Sequence, residues 1–181
     1  MNLVAWAILT CEVLFWVVIL AGFTARYIFK RSTLGLILLA MTPVLDILLL
    51  MISGVDLARG ATATTAHALA AVYISVSIVF GKSMIAWADE RFRYYVTKQG
   101  AKPAKRYGMD HAKHYFQSWL KHLLSFVLAA GILYGLIIWI DDAARTEALL
   151  SILTVWSVVV GIDLIITVTY FIWPRQAKGS S

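Results

Sequence analysis

Charge is scarce in this sequence of 181 residues. Asp, Glu, Lys and Arg make up 14% of it, against about 25% in a typical soluble domain. Hydrophobic residues reach 61% and the mean hydropathy is +0.79, which excludes an ordinary water-soluble globule. Cysteine is almost missing. Cys11, the single one, admits neither an intramolecular disulfide nor a thiolate metal cluster and reads as a small packing residue. No stretch is both polar and long enough to form a separate soluble domain, no N-x-[ST] sequon occurs, and no internal repeat is visible. Basic residues are missing ahead of the first apolar run, which continues to about Phe29. That run reads as a retained anchor and not as a cleaved signal.

What is present is a set of apolar blocks long enough to cross a hydrocarbon core of about 30 Å as helix. Five spans are expected, at about 3–28, 34–56, 62–87, 121–141 and 148–173. Backbone polar groups cannot stay unpaired in lipid, and the runs are continuously apolar without alternation, so each span should be helical. The fold class is therefore an all-α membrane bundle in a single domain, residues 1–181. An odd span number argues against a simple inverted duplication.

The segments between the spans set the orientation. Lys30 and Arg31 follow the first span. A long basic loop, 88–120, follows the third, and Arg175 and Lys178 follow the fifth. The other two loops hold Asp56 with Arg59, and Asp141, Asp142, Arg145 and Glu147. Basic loops belong on the cytoplasmic side, which puts the N-terminus outside and the C-terminus inside. The net charge of +6 follows from that bias, and nucleic acid is not an expected partner. Within the long loop, Tyr115, Phe116, Trp119, Leu120 and Leu123 recur at helical spacing. They predict an amphipathic interfacial helix before the fourth span. Arg91, Arg93, Lys102, Lys105, Arg106, Lys113 and Lys121 are expected contacts for anionic lipid.

Ionisable groups inside spans point to function, because they are costly there and face protein or water. Glu12, Asp46, His67, Lys82 and Asp163 form the candidate intramembrane polar site. Glu12, Asp46 and His67 are expected to line one outward-facing pocket with Asp56 near its mouth. Asp46 sits at mid-span just beyond Pro43, whose missing N–H frees a carbonyl one turn earlier. It is a candidate proton- or cation-binding group, with neutral burial as the structural alternative. Lys82 and Asp163, at similar depth, are expected to form a buried ion pair. His111 and His114 have one-turn spacing and are the metal-ligand candidates, with solvated surface histidines as the simpler reading.

Several constellations fail. Gly81-Lys82-Ser83 resembles the end of a phosphate-binding loop, but Val76 stands where that loop needs glycine. His67 and His122 lie near opposite faces and cannot share a haem. No HExxH, Ser/His/Asp or Cys/His arrangement is readable in the sequence, so no cofactor and no catalytic residue is expected. Small-xxx-small pairs at Gly131/Gly135, Ser77/Gly81 and Ser157/Gly161 permit close helix approach, within the chain or to another copy.

The runs Cys11-Glu12-Val13 with Phe15-Trp16, Ala25-Arg26-Tyr27 and Pro43-x-x-Asp46 are followed by Asp56-Leu57-x-x-Gly60-Ala61-Thr62-Ala63 and His67-x-Leu69-Ala70-Ala71-x-Tyr73. Phe80-Gly81, Trp87-Ala88-Asp89-Glu90-Arg91-Phe92, Gly161-Ile162-Asp163 and Trp173-Pro174-Arg175 complete the set. Together they resemble the small bacterial integral inner-membrane proteins of the YmcC type, over nearly the whole chain. The resemblance implies a multi-pass protein of the bacterial plasma membrane. It implies no reaction and assigns no catalytic residue. From the residues themselves, the first functional expectation is a small oligomeric transporter or ion conductor using the buried acids. A membrane scaffold or regulatory subunit binding lipid or another membrane protein is the second, and an intramembrane enzyme the third.

Overall fold

The computed structural model describes residues 3–95, 98 and 106–176, the side chains of residues 3–5, 7, 8 and 12 apart. No strand occurs among them, and five helical segments are long and apolar enough to cross a bilayer. Helix α1 (Leu3–Phe23) runs into a π-helical turn at Thr24–Ile28. The second span is two helices, α2 (Ser32–Ala40) and α3 (Thr42–Ala58). Pro43 explains the break: it has no N–H to give the Leu39 carbonyl, and its ring crowds that turn. The Thr42 hydroxyl donates to the Leu39 carbonyl instead, at 2.9 Å.

Helices α4 (Thr65–Tyr95), α5 (Gly108–Ile140) and α6 (Ala143–Ile172) have 31, 33 and 30 residues. At about 1.5 Å per residue each exceeds the hydrocarbon core by some 15 Å or more. Residues 108–120 are helical, as their spacing indicates, but they are the first third of α5. They lie along α6, with Tyr115 and His111 on Tyr170 and Phe116 on Phe171. The segment runs without a break into the fourth span.

The two ends of the bundle are closed differently. At one end, Asp141 takes the left-handed conformation (φ 50°) that stops α5, which Asp tolerates better than most residues. Asp142 then caps α6, its carboxylate accepting from the Ala144 and Arg145 amides at 3.1 and 3.2 Å. The Arg145 guanidinium donates to the carbonyls of Leu57 and Ala61, tying the start of α6 to the end of α3. Beneath this lid lies the core of Leu57, Ala68, Ala71, Leu133, Leu149 and Leu153. At the other end Arg26 pairs with Asp89, Tyr27 donates to the same carboxylate at 3.0 Å, and the Gly108 amide donates to the Arg175 carbonyl at 2.7 Å. Arg26, Lys30, Arg91, Arg106 and Arg175 thus gather at one end, and Asp56, Asp141, Asp142 and Glu147 at the other.

The expected small-residue pairs do not make the helix crossings within the chain. A Cβ built on Gly81, Gly131, Gly135 or Gly161 meets no atom within 4 Å, so these positions face outward. The close crossing is between α1 and α2. A Cβ on Gly35 would stand 2.5 Å from the Arg26 Cβ and 2.8 Å from the Gly22 carbonyl oxygen.

Candidate functional site

Helices α3 and α4 form an antiparallel hairpin around the loop at 59–64, and their polar residues meet in register. Asp46 accepts a hydrogen bond from the Ser77 hydroxyl at 3.1 Å. Asp56 faces His67, with Nε2 at 3.5 Å from the carboxylate. That distance is long for a hydrogen bond, and Nε2 has no closer partner among the described residues. The other ring nitrogen is well held. His67 Nδ1 accepts from the Thr64 amide at 3.1 Å and lies 2.7 Å from its hydroxyl. This is one half of a capping box at the start of α4, with histidine in the place usually held by Glu or Gln; the His67 amide donates to the Thr64 carbonyl and not to its hydroxyl. Accepting at Nδ1 leaves the neutral ring's proton on Nε2, aimed at Asp56.

The single pocket expected to join Glu12, Asp46 and His67 is therefore two sites. Ten positions along the hairpin, about 15 Å, separate the Asp46–Ser77 contact from the Asp56–His67 contact. His67 serves the helix start and Asp46 a separate cavity. Glu12 lies on α1, and its side chain falls outside the described residues. Asp46 is 1% exposed and borders a cavity of about 190 Å³ shared by α1, α3 and α4, with Phe15, Trp16 and Tyr73 among its walls.

On the other hairpin, α5 and α6 bring His122 to Asp163. The imidazole Nδ1 lies 2.6 Å from the carboxylate. The ion pair expected between Lys82 and Asp163 is not made: His122 is the partner, and Lys82 stands exposed on α4. Around the His122–Asp163 pair opens a cavity of about 540 Å³ among α4, α5 and α6. Val76, Phe80 and Met84 wall it on one side, and Val159 and Ile166 on the other. Phe80 lies against the His122 ring, with centroids 5.0 Å apart. The Trp119 indole donates to the Val160 carbonyl at 3.2 Å, holding α5 and α6 together beside the cavity. Ser125 also borders it; its hydroxyl is buried and has no partner among the described residues. No sequence motif marks this site, because its residues come from three helices.

At the basic end, Arg91 sits over the Trp87 ring, 5.2 Å from its centroid. Arg93 reaches the Asp89 carbonyl at 3.4 Å. Arg106, Lys113 and Lys121 are exposed, and Lys102 and Lys105 fall outside the described residues. His111 is wedged between Tyr115 and Tyr170, whereas His114 is exposed. No group of three or more His, Cys, Asp and Glu side chains suited to a metal exists among the described residues, so the His111/His114 pairing gains no third ligand.

Over all 181 residues the chain is 59% identical to a protein of Bacillus subtilis (strain 168) described as "Uncharacterized membrane protein YmcC", covering 98% of that protein. No family model matches the chain. No solved structure matches it either.

Proposed function

The chain belongs to the YmcC family of membrane proteins, and from that premise we propose that it binds phospholipid in the plasma membrane, acting as a lipid-dependent scaffold or regulatory subunit. The cavity among α4, α5 and α6 takes the acyl chain of one lipid of the inner leaflet. The observation that carries this reading is the cavity itself. Its volume of about 540 Å³ falls in the range of small-molecule sites, about 300–1,000 Å³, and it combines apolar walls with a few convergent polar groups. In a bilayer, lipid is the apolar ligand always at hand. Burying an acyl chain there gains nothing from leaving water, since lipid tails are as apolar as leucine. Affinity must come from fit and from the headgroup.

The positive-inside rule makes the basic end cytoplasmic. Lys113, Lys121 and Arg106 are exposed there, and each well-placed cation adds about 1 kcal/mol for an anionic headgroup. Phosphatidylglycerol should thus be retained over phosphatidylcholine. The transport and conduction reading has less support. It calls for one path touching Asp46 and Asp163, and the cavities beside these acids share no lining residue.

Val159 is 53% exposed and lines the cavity, so Val159→Trp fills it without disturbing the buried core. Native mass spectrometry of protein purified with phosphatidylglycerol should show a one-lipid adduct in the parent chain. In the variant that adduct should fall at least tenfold, with stability changed by no more than about 0.5 kcal/mol. An undiminished adduct in a folded Val159→Trp protein would place the lipid elsewhere.

A further inference from the structure

The smaller cavity carries a different chemistry, independent of the lipid reading. Asp46 is 1% exposed within a membrane span, and no basic side chain meets it among the described residues. It accepts a hydrogen bond from the neutral Ser77 hydroxyl. A carboxylate placed so is costly unless it has a proton or a cation for company. The walls indicate which cation. Phe15 and Tyr73 stack nearly parallel, 10° apart, with centroids 5.5 Å from each other. Trp16 stands edge-on to Phe15 at 5.7 Å. Leu45 and Leu49 supply aliphatic surface, and Cys11 and Tyr73 are the remaining titratable groups on the walls.

We propose that this cavity is a binding site for a small organic ammonium ion, held by Asp46 against the aromatic wall of Phe15, Trp16 and Tyr73. Hard metal cations need several oxygen ligands, commonly six or more, and the side chains on the walls offer only the Asp46 carboxylate and the Tyr73 hydroxyl as oxygen ligands. A methylated ammonium group needs no lone pairs. It takes its stabilisation from aromatic faces and one counter-charge, the arrangement used by aromatic cages for choline-like groups. The volume of about 190 Å³ sets the size: below the usual range for drug-sized ligands, and suited to a trimethylammonium head.

Choline and its uncharged isostere 3,3-dimethylbutan-1-ol have nearly the same shape. Each is titrated into the protein in nanodiscs, followed by tryptophan fluorescence and calorimetry. Choline should bind at least tenfold more tightly than the isostere. Asp46→Asn, which keeps the size and the Ser77 contact, should remove that preference. Tyr73→Leu should weaken choline by roughly threefold to tenfold, the worth of one cation–π contact. Sodium chloride at equal concentration should not displace choline. Equal binding of choline and isostere, undiminished choline binding by Asp46→Asn, or displacement by sodium at matched concentration each overturns the proposal. Should Asp46→Asn fail to fold, the comparison of choline with its isostere on the parent chain decides alone.

Discussion

Arg145→Ala should destabilise the bundle by about 2–4 kcal/mol, since hydrogen bonds to a charged group are worth about 1.5–3 kcal/mol each. The guanidinium donates to Ala61 through Nε at 3.1 Å and through a terminal nitrogen at 2.9 Å, and also to Leu57. Leu57 lies in the last turn of α3, its carbonyl also accepts from the Gly60 amide at 3.1 Å, and its side chain is fully buried. Removing the guanidinium takes one donor from the Leu57 carbonyl and both Arg145 donors from the Ala61 carbonyl, at the closed end of the core. The same residue's carbonyl accepts from the Ala63 amide at 2.7 Å, a bond the substitution keeps, so the effect belongs to the side chain. Arg145→Lys should recover part of the loss and not all of it, because an ammonium lacks the rigid planar fork and the donor number of a guanidinium. Unfolding in mixed dodecylmaltoside and dodecyl sulfate micelles measures all three chains. A change under 0.5 kcal/mol for Arg145→Ala would show that the lid is not held by this residue.

The second large effect lies at the opposite end. Gly35→Leu should cost about 3 kcal/mol or more, since overpacking a closed contact forces backbone to move. Even the first carbon of the new side chain meets the Arg26 Cβ at 2.5 Å, the Gly22 carbonyl at 2.8 Å and the Arg26 Cα at 3.0 Å. Two of these are backbone atoms and cannot rotate away. Displacing Arg26 also pulls it from Asp89, and Tyr27 from its stack on Phe92 at 4.1 Å. Gly131→Leu is the matched control. Nothing stands within 4 Å of its Cβ position, so the single chain should be unchanged within about 0.5 kcal/mol. The same micelle unfolding separates the two. Equal losses at Gly35 and Gly131 would mean that the α1–α2 crossing is not the tight one.

These two sites show what the sequence makes readable. The five spans stand out because continuous apolar runs admit only helix in lipid, and Pro43 marks the broken one. The GxxxG at Gly131 and Gly135 is a local pattern, and a local pattern cannot say which face of a helix meets a neighbour. Gly22 and Gly35 carry no such pattern, since each helix contributes one glycine. The expected Lys82–Asp163 pair rested on depth alone. Depth fixes one coordinate, and the hairpin fixes a second: His122 and Asp163 lie within two residues of the same distance from the turn at Asp141–Asp142, and Asp46 and Ser77 are equidistant from the loop between α3 and α4. Reflecting each hairpin about its loop would have found both contacts, and would also have separated His67 from Asp46. The cavities lay beyond reach, because they depend on how α1 leans on α3 and how α4 splays from α6. The extension of α5 was half legible. Its amphipathic spacing is visible in the sequence, but only the structure shows one unbroken helix lying along α6 through Tyr115 and Tyr170.

The lipid site is tested most directly by marking where a lipid touches the protein. The chain is reconstituted in vesicles of phosphatidylethanolamine with phosphatidylglycerol, a trace of the latter carrying a diazirine in its acyl chain. After illumination, adducts are mapped by peptide mass spectrometry. Labels should concentrate on residues 76–84 and 156–166, and excess unlabelled phosphatidylglycerol should dilute them there. Labels spread evenly over lipid-facing positions of every helix, with Val44 and Ile138 marked as heavily as Val159, would contradict a lipid held in the α4–α5–α6 cavity.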